Sequence, residues 1–151
     1  MSEYTAYIDT AVEQFRTLIT EQLNRQLKME QVTTKKTFAP GSKVVIGLVP
    51  GDGIGPMIFR AAEKVLKYLL ADEIAAGTVE LKNIEGLTIE NRMEQGKSVP
   101  DDVLAQIKSC DVLLKGPTTT PKGGKMESAN VSLRRELDLY ANVRPVTVPE
   151  Q

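Results

Sequence analysis

At 151 residues with 41% hydrophobic side chains, the chain has the length of one ordinary domain and enough apolar material to build a core. A net charge of −1 counts against nucleic acid as the main partner, no apolar run approaches the ~18 residues of a membrane span, and Glu3, Asp9, Glu13 and Glu21 are unlike a signal or transit peptide, so a cytoplasmic location is the expectation. The lack of histidine leaves carboxylates, Lys, Tyr, Ser or Thr for any catalysis, and makes any metal a hard, oxygen-liganded ion such as magnesium.

The first element is an amphipathic helix over residues 4–27, in which Tyr4, Ile8, Ala11, Phe15 and Leu18 keep helical spacing and Ile19, Leu23 and Leu27 continue on a drifting stripe. The stripe suits either packing on the chain's own domain or pairing with another helix. Gln22 and Arg25 interrupt the heptad, which favours packing. A polar stretch ending in Pro-Gly, "QVTTKKTFAPGSK", marks a boundary near residue 41, so residues 1–40 read as a helical extension with its linker and 41–151 as the main segment.

Within that segment "VVIGLV" is short, apolar and β-branched, as a strand buried on both faces should be. Residues 57–76 have the apolar period of one helix, with Pro56 suited to its first turn and Gly77 to its end. "TVELKNI" predicts a second strand and "IENRMEQGKS" a polar helix. "PDDVLAQIKS" predicts a helix whose Pro-Asp-Asp start suits the missing amide and the dipole, and "DVLL" a third buried strand. A short helix in "VSLRRELDLY", with Leu133, Leu137 and Tyr140 on its apolar side, and a strand in "YANVRPV" complete the order. Strands alternating with helices imply an α/β fold with a largely parallel sheet flanked by helices. The single cysteine, Cys110, lies in an apolar run and reads as a small buried residue.

Two motifs bear on chemistry. "GDGIGP" after a strand invites a dinucleotide-binding reading, but Pro56 occupies the place of the last glycine of Gly-x-Gly-x-x-Gly; the other reading is a tight turn needing positive φ at glycine. In "KGPTTTPKGGKMESAN" an irregular loop leads to a helix N-terminus at Ser128 and Asn130, either of which can serve as the cap. Residues 115–144 carry Lys115, Lys122, Lys125, Arg134, Arg135 and Arg144 against Glu127, Glu136 and Asp138, a net +3 while the rest of the chain nets −4. Arg134, four residues after Asn130, can clamp a carboxylate at the positive end of the helix, and Arg144 is placed to converge on it. A small polycarboxylate is the ligand this pattern suits.

"VVIGLVPGDGIGP", "SVPDDVLAQIKSCDVLLKGPTTTP" and "SANVSLRRELDLYANVRP" together resemble the N-terminal part of the β-decarboxylating dehydrogenases, from about Lys43 to Val148. "ESANVSLRRELDLYANVRP" is more similar to isocitrate dehydrogenases than to 3-isopropylmalate or homoisocitrate dehydrogenases. The resemblance implies an isopropylmalate-dehydrogenase-like fold, present here as an N-terminal segment with an incomplete sheet, and NAD- or NADP-dependent oxidative decarboxylation of isocitrate to 2-oxoglutarate and CO2 with Mg or Mn. By motif, Ser128, Asn130, Arg134 and Arg144 match isocitrate-binding residues. Thr119 and Thr120 match threonines between substrate and cofactor, Asn130 also a position near the nicotinamide, and Lys115 the supporting lysine of Lys-Gly-Pro. No catalytic or metal-binding residue is assigned within the chain: the resemblance places the catalytic tyrosine, the partner subunit's lysine, the metal-binding aspartates and most of the adenine pocket beyond it. The chain alone is therefore expected to be inactive, and to pair with like chains or a complementary dehydrogenase segment. A non-catalytic carboxylate-binding or regulatory subunit is the alternative. Two departures stand out: Lys125 and Glu127 replace a glycine and an arginine of the usual run, and Met57 replaces an acidic residue.

Overall fold

The computed structural model describes residues 2–31, 36–121, 123 and 126–147. The chain divides into two compact units, Met1–Phe38 and Ala39–Gln151. The first is one helix, α1 (Ser2–Gln31). Its apolar side chains are exposed, from 44% at Leu27 to 76% at Tyr4, so the stripe has no packing partner within its own unit.

The second unit is built around three parallel strands, β1 (Val44–Val49), β2 (Val79–Asn83) and β3 (Val112–Lys115), in the order β2-β1-β3. Val44 pairs with Val79 and Ile46 with Val112. β1 is central and its last four residues are buried, as a strand covered on both faces requires. Its alternation serves two cores. Ile46 and Leu48 meet Phe59 on one face, while Val49 joins Ile84, Leu87, Val99, Val103, Ile107, Ala129 and Leu133 on the other. Gly47 is what allows the second face to close, because a Cβ there would lie 3.0 Å from both Cys110 Sγ and Ile84 Cδ1. Cys110, expected to be buried, is half-buried against this face.

The helices are α2 (Gly55–Leu69), α3 (Ala71–Ala75), α4 (Ile89–Gln95), α5 (Asp101–Lys108) and α6 (Ala129–Glu136). Three expectations need correction. The single helix expected over 57–76 is two: Leu70 leaves helical geometry (φ −107°, ψ 21°) where its side chain packs under β1 and β2, and α3 restarts with Asp72 and Glu73 favouring its positive end. Among the described residues β3 is an edge strand paired only with β1, which leaves Val112 50% exposed instead of buried. The expected strand in 140–146 is absent; α6 ends at Glu136, Asp138 takes a positive φ of 49°, and residues 138–147 are exposed, Tyr140 fully so. Among the described residues that stretch has no neighbouring strand to satisfy its backbone.

Candidate functional site

In a parallel α/β sheet, ligands bind beyond the carboxyl ends of the strands, where the strand order reverses. Here β1 sends the chain to β2 on one side while β3 lies on the other, so the reversal falls between the ends of β1 and β3. The two motif loops leave those ends. The β1 loop makes two left-handed residues, Gly51 (φ 76°) and Gly53 (φ 60°), and the two loops press together so closely that a Cβ on Gly51 would sit 1.9 Å from Pro117 O. Asp52 N donates to Pro117 O at 3.1 Å, and the Asp52 carboxylate returns the link by accepting Thr119 N at 2.5 Å. "GDGIGP" is thus a tight turn whose function is to seat the threonine loop.

Below that loop lies a residue that the motif reading did not single out. Arg92, in α4, is fully buried, and its guanidinium donates to Ser98 O (2.7 Å), Thr119 O (2.7 Å) and Glu127 O (3.4 Å). It ties both arms of the loop, residues 119 and 127, to the turn after α4. Burial pushes the guanidinium's pKa down, opposed by the Asp52 charge. An arginine inside an otherwise polar helix gave no periodicity signal; only its place before Gly96, which caps α4 in the left-handed conformation, marked a turn near it.

Ser128 caps α6, its hydroxyl accepting Asn130 N at 3.3 Å. Asn130 and Arg134, one turn apart on α6, line an open groove of about 610 Å³ with Lys115 from the end of β3 and with Cys110, Leu113 and Leu137. Lys115 Nζ donates to Gly116 O (2.8 Å) and Thr118 Oγ1 (3.1 Å). Burial is the first cause that brings its pKa from 10.5 to about 8; Asp52 opposes the shift and Arg92 adds to it. Thr119 and Thr120 are exposed on the loop that Arg92 and Asp52 hold, and Thr119 Oγ1 faces Gly53. Arg144 lies on the exposed stretch after α6 and does not line the groove. A hollow of similar size, about 600 Å³ under α2 and α3, offers no comparable receptor, since its cations Lys43 and Lys67 are paired with Glu80 and Glu63.

Glu127 does not face the groove. Its carboxylate accepts Ser132 Oγ (2.5 Å) and both terminal nitrogens of Arg135 (3.1 and 3.0 Å), which hold its pKa below the usual carboxylate value. Lys125 lies outside the described residues.

Residues 45–151 match the family model described as isocitrate/isopropylmalate dehydrogenase. The chain belongs to this family. It is 43% identical over 104 residues to a protein of Caldococcus noboribetus named isocitrate dehydrogenase (NADP), and 46% identical over 103 residues to one of the same name from Archaeoglobus fulgidus. Each match takes in 68% of this chain and 24% of the relative, so the chain spans about a quarter of their length. Among solved structures, a β-decarboxylating dehydrogenase from Thermococcus kodakarensis aligns with a TM-score of 0.52 and 34% identity, over 64% of this chain and 27% of that one. No helix among the described residues is long and apolar enough to cross a membrane. No three His, Cys, Asp or Glu side chains among the described residues come together as a metal site.

Proposed function

We propose that this chain supplies the substrate-facing part of an NADP-dependent isocitrate dehydrogenase, and that the groove between β3 and α6 receives isocitrate. One observation carries the reading: Asn130 and Arg134 from α6 and Lys115 from the end of β3, three residues matching the family's site, line one groove. In this reading Arg134 clamps a carboxylate and Ser128 and Asn130 hydrogen-bond the substrate at the positive end of α6, with Lys115 as the supporting cation. Arg144 closes on the same carboxylates when the segment after α6 turns back to the groove. Thr119 and Thr120 stand between substrate and nicotinamide, with Asn130 near the ring. Bound beside these residues, NADP would supply the hydride acceptor, and a divalent magnesium or manganese ion would supply Lewis-acid stabilisation of the decarboxylation.

NADP is preferred to NAD because the relatives named above carry that cofactor in their names. The groups that complete the reaction come from another part of the protein or from a partner copy, so residues 1–151 bind without turning over. A non-catalytic carboxylate-binding subunit would use the same groove.

Isothermal titration of the chain with isocitrate and 3-isopropylmalate tests the assignment. Isocitrate should bind more tightly, and Arg134→Ala should weaken it about 10-fold or more, as loss of a charged hydrogen-bond donor does. Equal binding by Arg134→Ala, or tighter binding of 3-isopropylmalate, would overturn it.

A further inference from the structure

The first unit has a surface that the groove leaves unexplained. α1 is a 30-residue helix, about 45 Å long, whose apolar stripe has no partner within its own unit. The stripe repeats every eleven residues, Tyr4 with Phe15, Ile8 with Ile19 and Val12 with Leu23, and Leu27 extends it. An eleven-residue repeat keeps a stripe almost parallel to the axis of a helix, with a slight right-handed drift, so two such helices can stay in contact over their full length. Thr10 and Thr17 lie away from the stripe, each hydroxyl donating to the carbonyl four residues earlier.

We propose that α1 is a self-association helix that pairs antiparallel with α1 of a second copy of this chain. Two features of the sequence select that occupant and that direction. Residues 2–15 carry Glu3, Asp9 and Glu13 with no cation, while residues 16–31 carry Arg16, Arg25 and Lys28 against Glu21 and Glu30. A parallel pair would set the acidic halves side by side; an antiparallel pair sets each beside a half with net positive charge. The stripe is also self-complementary when reversed. With the two-fold axis at Phe15 and Arg16, Tyr4 meets Leu27 of the second copy, Ile8 meets Leu23 and Val12 meets Ile19, each contact occurring twice as a closed dimer requires. A register four residues shorter also matches apolar to apolar, but leaves Leu27 and the C-terminal cations without a counterpart. The pairing brings two copies of the second unit into one assembly through a contact separate from the groove.

Cysteine cross-linking of the full chain in a Cys110→Ser background tests this directly. An equimolar mixture of Val12→Cys and Ile19→Cys chains, mildly oxidised, should give a disulfide-linked dimer joining one chain of each kind, with little product from either alone. Sedimentation velocity should show a dimer that Ile8→Glu/Ile19→Glu converts to monomer, with helical circular dichroism falling in parallel because a single α1 is marginal in water. Self-linking of each single-cysteine chain means parallel pairing, and a monomeric wild-type chain means that α1 is covered by something other than its copy; either result overturns the proposal. Association through the second unit would leave the Ile8→Glu/Ile19→Glu chain dimeric and the mixture unlinked, which also overturns it.

Discussion

The loop that enters α6 and the segment that leaves it both carry residues of the family motif, yet they are held in opposite ways. The entering loop, residues 116–128, is fixed at Thr119 by the Asp52 carboxylate and at Thr119 and Glu127 by the buried Arg92 guanidinium. The leaving segment, residues 138–147, is exposed throughout and carries Arg144 into solvent. Preorganisation of the first is therefore written in α4 and in the turn after β1, far from the motif in sequence. The second takes its geometry from no core contact. The groove residues Lys115, Asn130 and Arg134 are set on β3 and α6, whereas Arg144 has to be brought to them.

The largest effect should come from removing the clamp. Arg92→Met replaces a fully buried guanidinium and leaves the carbonyls of Ser98 and Thr119 without their donor, and a methionine cannot replace a planar fork. The expected cost is about 3–5 kcal/mol of unfolding free energy in urea, from unpaired acceptors and imperfect filling. Arg144→Ala, the matched change on the leaving side, should stay within about 0.5 kcal/mol, as exposed substitutions do. Equal costs at the two positions would erase the distinction between the two arms.

That asymmetry also explains what was legible in the sequence. β1, β2 and the Ser128 cap announce themselves through local rules: a β-branched run, an apolar run between turns, a hydroxyl before a helix. Arg92 follows no such rule, because its role is set by carbonyls 6, 27 and 35 residues away. The reading of 140–146 as a strand failed for the converse reason. A β-branched, aromatic pattern is necessary for a strand, but the strand exists only with a neighbour to bond, and β3 has none on that side among the described residues. Glu127 is a similar case: its formal charge is visible in the sequence, and its partners, five and eight residues on, are not.

A middle-sized effect tests the electrostatics beneath the loop. The Lys115 ammonium is disfavoured by burial, so its folded pKa of about 8 lies below the ordinary 10.5. Between those values the unfolded chain binds more protons than the folded one. Stability should therefore rise as pH increases from about 8 towards 10.5, and be lowest below pH 8 where both states are charged. Thermal melts across pH 7–10 should show that rise in the wild-type chain and a flatter curve in Lys115→Met. Asp52→Asn should move the Lys115 titration further down, since it removes the charge that opposes the shift.

The smallest effect belongs to Glu127, and it separates charge from position. Asn130 and Arg134 line the groove, whereas Ser132 and Arg135, which hold the Glu127 carboxylate, border Lys97, Val99 and Asp101 on another side of α6. The carboxylate is pulled down first by the Ser132 hydroxyl and then by Arg135, so its contribution is present above the ordinary value of 4.5 and is lost as pH falls through the lowered one. Glu127→Gln should lower the melting temperature slightly at pH 7. The difference should shrink in high salt and vanish in acid, because the pair is exposed. Isocitrate affinity should be unchanged, since Arg135 already neutralises the charge that the sequence sets beside Ser128. Tighter binding in Glu127→Gln would show that this charge reaches the groove after all, and that the entering loop is electrostatically compromised although it is mechanically secure.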